Sequence, residues 1–363
     1  MAVLTGIYVI AGGYMATAIN DFIQGIIMIF GIIAVIIAVI ASKGGLMSAL
    51  TGLAKVTDES VSTMPGAFNS FLGPDPLNLL GVVILTSLGT WGLPQMVQKF
   101  YAIKSEDAVK KGTVISTVFA LIIAGGSYFL GGFGRLFSDT IAVAGNGIPV
   151  GGYDAIIPSM LSYLPDILIA VVVILVLSAS MSTLSSLVLA SSSTITIDLL
   201  KGHFIRKMDE KKQVLCMRIF VVVFIVISAG IAVFQYQSSL SATSSNSSTF
   251  IAQLMGVSWG ALAGAFLAPF LYGLYWKKTT SAACWVSFLF GSVVMILNML
   301  IRSSFPAFLQ SPINCGAFCM IAGLIIVPVI SLFTKKPDRK LVDDAFSCYD
   351  IKVKVSQKRS LID

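Results

Sequence analysis

Apolar residues in this chain neither alternate nor recur as a single stripe; they come in long runs separated by short polar patches. Nine runs can be drawn, at roughly 1–17, 20–42, 77–100, 113–136, 166–197, 216–238, 249–276, 279–301 and 312–334. Wound as an α-helix at about 1.5 Å per residue, about 20 apolar residues cross a hydrocarbon core about 30 Å thick. The pattern therefore predicts nine membrane helices. The first run is short, as expected of a truncated helix, and Met1 enters it without the basic leader of a signal peptide.

Composition agrees. Of 363 residues, 56% are hydrophobic and 11% charged, with a mean hydropathy of +0.91. A soluble domain of this length needs far more charge to cover its surface. The net charge of +7 does not indicate nucleic acid, because the basic residues follow the map of the runs. All of the 24 lysines and arginines except Lys43, Lys55, Arg135 and Arg302 fall on one side of it. By the positive-inside rule that side is cytoplasmic. With nine spans, Met1 then lies outside and the tail at 335–363 inside, which makes the chain a multi-pass protein of the cell membrane. The stretches 43–76 and 137–165 read as long external loops, and 239–248, mostly Ser, Thr and Asn, as a flexible external link.

Few residues offer chemistry. Cys315 and Cys319 have helical spacing, but with no His or carboxylate nearby they read as small packing residues rather than metal ligands. The single histidine, His203, sits in a basic loop facing water. There is no zinc pattern, no Gly-rich phosphate loop and no Ser/His pair with a base, so the chain does not read as an enzyme. The fifth run is more informative. Ala179, Ser182, Thr183 and Ser186 stand at i, i+3, i+4 and i+7, one helical face, with Ser185 beside them. Hydroxyls lined up within a bilayer supply hard oxygen ligands for Na⁺; equally, they bond back to their own helix or mark a small-residue packing face. Asp21 is a carboxylate at the start of the second run. At bilayer depth it costs about 2.5–3.5 kcal/mol, so it is either functional or an interfacial helix cap. Gly89, Gly92 and Pro94 fall within six residues of the third run. They mark either a broken helix of the kind that builds transporter sites or a simple proline kink.

Five stretches, in order, carry a family likeness. They are Tyr8 to Ala16 running on to Asp21 and Gln24; Gly92-Leu93-Pro94-Gln95 leading to Lys99-Phe100-Tyr101-Ala102; Asp154 to Pro158 with Leu164-Pro165; Ala179 to Ser186; and Gly264 to Trp276, with Pro269 and Gly273, then Lys277-Lys278-Thr279. Together they cover nearly all of 1–334, and they resemble the sodium:solute symporter family.

That resemblance implies an all-α polytopic bundle of the LeuT type, with two inverted five-helix repeats. The chain would hold the end of the first repeat, all of the second and two trailing helices over 1–334, but not the family's early helices, followed by the short tail at 335–363. It implies Na⁺ as coupling ion, with no other cofactor, and a small organic solute as cargo. Carried over, the Ala179 carbonyl and the Ser182 and Thr183 hydroxyls are sodium ligands, and Asp21, Ser182, Ser185 and Ser186 match a second sodium site found in some members. Thr86, Thr90, Trp91 and Gln253 are candidate solute contacts; Thr86 and Thr90 stand where sodium/proline members carry aromatics, which disfavours proline. The function implied is symport by alternating access. The alternative is a solute sensor that does not transport, or an inactive fragment of a symporter.

Overall fold

A computed structural model describes residues 1–57, 62, 64–98, 103, 105–140, 154, 156–162, 165–205, 207–241 and 251–349. The link at 239–248 thus lies largely outside the described residues, and 141–153 and the end of the tail lie wholly outside them. Among the described residues twelve α-helices follow in order: α1 Ala2–Ser42, α2 Leu46–Lys55, α3 Pro76–Ser87, α4 Pro94–Gln98, α5 Glu106–Gly132, α6 Ile156–Leu161, α7 Asp166–Ser193, α8 Glu210–Ser241, α9 Ile251–Tyr275, α10 Ser281–Leu300, α11 Pro312–Phe333 and α12 Arg339–Phe346. Among the described residues, seven helices are long and apolar enough to cross a membrane. The protein is an all-α, polytopic membrane protein.

The nine apolar runs map onto these helices with two differences of partition. The runs at 1–17 and 20–42 form one element, α1, whose only interior break is at Gly13 (φ 56°, ψ −148°). The run at 77–100 is divided into α3, a 3₁₀ turn at Gly89–Gly92 and α4, so no single long helix forms there. The stretches read as external loops also contain the short helices α2 and α6. Beyond α7 the chain continues as a π-helix, Thr194–Phe204, so exposed His203 is helical rather than in a loop.

The chain packs as two units, Met1–Thr57 with Thr113–Ser248, and Asp58–Gly112 with Thr249–Asp363. In the first unit Ile32, Val35 and Val39 of α1 pack with Leu130, Phe137, Met160 and Leu161, and Val9 packs with Val188 of α7 and Val221 and Ile225 of α8. At one end of this unit Lys43 Nζ donates to the Leu136 carbonyl at 2.7 Å and lies 3.9 Å from the centre of the Phe137 ring. In the π-helix that follows α7, Lys201 Nζ donates to Gln213 Oε1 near the start of α8, at 3.4 Å.

In the second unit α9, α10 and α11 meet at backbone distance. A Cβ on Gly260 would stand 2.8 Å from the Gly316 Cα, and one on Gly291 would run into the carbonyl of Gly264. Lipid tails are as apolar as the side chains, so there is little hydrophobic gain in bringing such helices together. Close van der Waals contact at small residues holds them instead. The two cysteines of α11 belong to this packing: Cys315 and Cys319 are wholly buried beside Met295. No cluster of metal-ligating residues occurs among the described residues.

This geometry predicts that Gly291→Ala lowers the stability of the protein in detergent by about 1–3 kcal/mol, as overpacking does. Gly125→Ala, where nothing lies within 4 Å of the new carbon, should leave it unchanged. Thermal unfolding of both variants checks this.

Candidate ion and solute site

The polar strip of α7 is covered by α1, and the cover depends on Gly13. Its backbone conformation lies close to a region open essentially only to glycine, and a Cβ on Gly12 would collide with the Ala16 side chain. The chain is redirected there. Tyr8 and Asp21, thirteen residues apart and about 20 Å apart in a straight helix, touch α7 at positions only five residues apart. The Tyr8 hydroxyl donates to the Met181 carbonyl at 3.2 Å, and the Ser186 hydroxyl donates to Asp21 Oδ2 at 3.5 Å, a long bond. Beyond the break α1 runs antiparallel to α7: Asp21 meets Ser186, and ten residues on Gly31 packs against Leu175. Asp21 is therefore not an interfacial cap at a helix start. It sits mid-helix in α1, half-buried against the strip.

At about 100° per residue, Ala179, Ser182, Thr183, Ser185 and Ser186 occupy an arc of about 160° on α7. Ser185 lies at one edge, wholly buried, and its hydroxyl donates to the Ser182 carbonyl at 2.9 Å. Thr183 lies at the other edge, exposed, and its hydroxyl donates to the Ala179 carbonyl at 3.0 Å. Two of the three oxygens implied as sodium ligands are thus neighbours. The Asp21 carboxylate meets Ser186, between the two edges of this arc. The Thr183 and Ser185 hydroxyls thus bond back to their own helix. Ser186 differs in that its hydroxyl bonds to a different helix, through Asp21.

Sequence reasoning gave Tyr8 and Gln24 no role at the site. Gln24 is buried one turn beyond Asp21 on the face of α1 that meets α7. A strand of evidence for it was present in the i, i+3 spacing from Asp21, whereas the contact of Tyr8 with Met181 spans 173 positions and has no local signature.

In the second unit the break between α3 and α4 carries the other candidates. The Thr86 hydroxyl donates to the Val82 carbonyl at 2.8 Å and that of Thr90 to Ser87 at 3.1 Å; Trp91 is exposed. Thr86 precedes the 3₁₀ turn and Thr90 and Trp91 lie within it; among the described residues no hydrogen bond joins the three. The side chain of Gln253 lies outside the described residues. Leu93 is extended and Pro94 begins α4, so the helix is interrupted rather than merely bent. Gly92 fits the turn onto α9: a Cβ there would stand 2.9 Å from the Ala263 Cα and from the Leu267 Cβ. Gly89 has more room, with its nearest neighbours at 3.7–3.9 Å.

Comparison with known proteins decides the family, since the profile of the sodium:solute symporter family matches residues 1–291. The chain belongs to the sodium:solute symporter family. Its relatives include the osmoregulated proline transporter OpuE of Bacillus subtilis, 26% identical over 91% of this chain and 62% of that protein. The sodium/pantothenate symporter of Haemophilus influenzae is 28% identical over 83% of this chain and 58% of that protein. The sodium/proline symporter of Escherichia coli is 26% identical over 93% and 62%. The chain thus spans about three-fifths of the length of these symporter-family relatives.

The Tyr8 contact generates a prediction. Tyr8→Phe should lower unfolding stability by about 0.6 kcal/mol, typical of a hydrogen bond between membrane helices. Tyr14→Phe, on an exposed position, should not change it. Unfolding by denaturing detergent measures both.

Proposed function

We propose that this chain is the sodium-binding part of a symporter that moves a small polar organic solute down the sodium gradient by alternating access. The observation that carries this reading is the Ser186–Asp21 contact, which sets a carboxylate from α1 against the hydroxyl strip of α7 in a family member. Ala179, Ser182 and Thr183 supply this chain's ligands to the first sodium site. Asp21, Ser182, Ser185 and Ser186 form a second, with Ser182 shared by its central position on the arc. The half-buried Asp21 carboxylate supplies the charge and the hydroxyls and carbonyls the remaining hard oxygens, so no nucleophile, general base or further cofactor is required.

Coupling follows from where the solute binds. Thr86, Thr90, Trp91 and Gln253 supply its contacts beside the interrupted helix, with Gly89, Gly92 and Pro94 as the hinge. Backbone freed from helical bonding at membrane depth persists where it lines a polar cavity. Relatives are named for proline and for pantothenate; the threonines at 86 and 90 favour a solute other than proline. The basic ends Lys277, Lys278, Lys335 and Lys336 and the Lys201–Gln213 junction face the cytoplasm in this reading. Each charge carried inward across 100 mV contributes about 2.3 kcal/mol, so a second ion about doubles the electrical drive.

The test is sodium-gradient uptake of candidate solutes into proteoliposomes holding the full open reading frame that encodes this chain. Ser182→Ala and Thr183→Ala should each raise the sodium concentration for half-maximal uptake at least about tenfold, the effect of losing one ligand to a charged group. Asp21→Asn should lower the charge moved per neutral solute from two to one. A parent protein moving one charge per solute would remove the second site. Sodium-dependent solute binding without any uptake would favour the sensor reading.

A further inference from the structure

A groove of about 290 Å³ opens between α9 and α10, lined by Ala265, Phe266, Pro269, Cys284, Trp285 and Phe288, with Ser281 at its end. Its walls are almost wholly apolar. It is shaped by Pro269, which lacks an N–H and so leaves the carbonyl of Ala265 one turn back without its usual helical partner. Phe288 fixes the floor through edge-on contacts with both Phe266, at 5.3 Å, and Trp285, at 5.8 Å. Both helices span the membrane, and Trp285 is 62% exposed. The groove therefore opens where lipid surrounds the protein.

Its Ser281 end is strongly basic. The Thr280 hydroxyl lies 2.6 Å from that of Thr334, and Thr280 N–H donates to Ser331 Oγ at 3.3 Å, which pins the start of α10 to the end of α11. Lys277 and Lys278 just before Thr280, and Lys335 and Lys336 just after Thr334, are thereby gathered at one place. Of the acidic residues at this end, Asp343 is taken by Lys277 at 2.9 Å, and Asp338 caps α12 by accepting from the Lys340 N–H. Asp344, on α12, is the remaining carboxylate. Lys278, Lys335 and Lys336 are exposed and leave a net positive mouth directly beneath an apolar slot.

We infer that this groove is a binding site for one anionic phospholipid, whose acyl chain lies against Trp285 and Phe288 and whose headgroup phosphate is held by Lys278, Lys335 and Lys336. Lysines at a membrane surface attract anionic headgroups, and an apolar slot continuing from them retains one lipid rather than a diffuse cloud. Lys277 does not join them, because Asp343 and the Phe346 ring at 5.4 Å occupy it.

Tryptophan fluorescence of the protein in phosphatidylcholine vesicles tests this, with a minor fraction of either brominated phosphatidylglycerol or brominated phosphatidylcholine as quencher. Subtracting the signal of Trp285→Phe isolates Trp285. The anionic quencher should act on the order of fivefold more strongly than the neutral one at equal mole fraction. The exposed triple variant Lys278→Gln, Lys335→Gln, Lys336→Gln should bring that ratio to about one. Cys284→Phe, which fills the groove without altering charge, should weaken quenching by both. Equal quenching by the two lipids in the parent, a preference surviving loss of the three lysines, or quenching unchanged when the groove is filled would each overturn the site.

Discussion

A single backbone turn that side chains cannot adopt organises the first unit. With φ 56° and ψ −148°, Gly13 redirects α1 so that residues on both sides of it reach the same stretch of α7. A straight helix of the same sequence would carry Asp21 about 20 Å from the level of Tyr8. The carboxylate would then stand away from the hydroxyls it now meets, and a charge at that depth would have no polar surface to repay its burial. The Ser186–Asp21 contact, the Tyr8–Met181 bond and the packing of Val9 on Val188 all follow from this one turn.

The polar strip itself illustrates how hydroxyls behave without water. Thr183, Ser185, Ser192 and Ser193 each donate to a carbonyl three or four residues back on their own helix. Such bonds satisfy the proton while leaving oxygen lone pairs available on the same face. A cation needs only those lone pairs, so a strip that is internally satisfied and a strip that ligates an ion are the same arrangement in two uses. What sets the Ser182–Ser186 stretch apart is the carboxylate facing it.

Much of this was legible in the residues. The long apolar runs located α5 and α7 to α11 closely, because about 20 apolar residues in sequence have few other places to go. The i, i+3, i+4, i+7 spacing placed Ala179, Ser182, Thr183 and Ser186 on one face, and two glycines and a proline announced the interruption after Ser87. Less was legible at α1. Its two arms read as separate spans divided near residue 18, although the adjacent glycines at 12 and 13 were the true signal, since Gly13 takes a positive-φ conformation that side chains disfavour. The contact of Tyr8 with Met181 depends on how distant helices fall together, and no local pattern encodes it. The π-helical winding of Thr194–Phe204 was likewise silent, because its residues suit an ordinary helix equally well.

The glycine contacts among α9, α10 and α11 bear on how this protein can move. Where a layer of side chains separates two helices, rotamer changes let one slide over the other. Between Gly260 and Gly316, and between Gly264 and Gly291, there is no such layer: main chain meets main chain. Shear is blocked at those points, so these three helices travel as one block, and deformation is left to the seams where bulkier groups intervene.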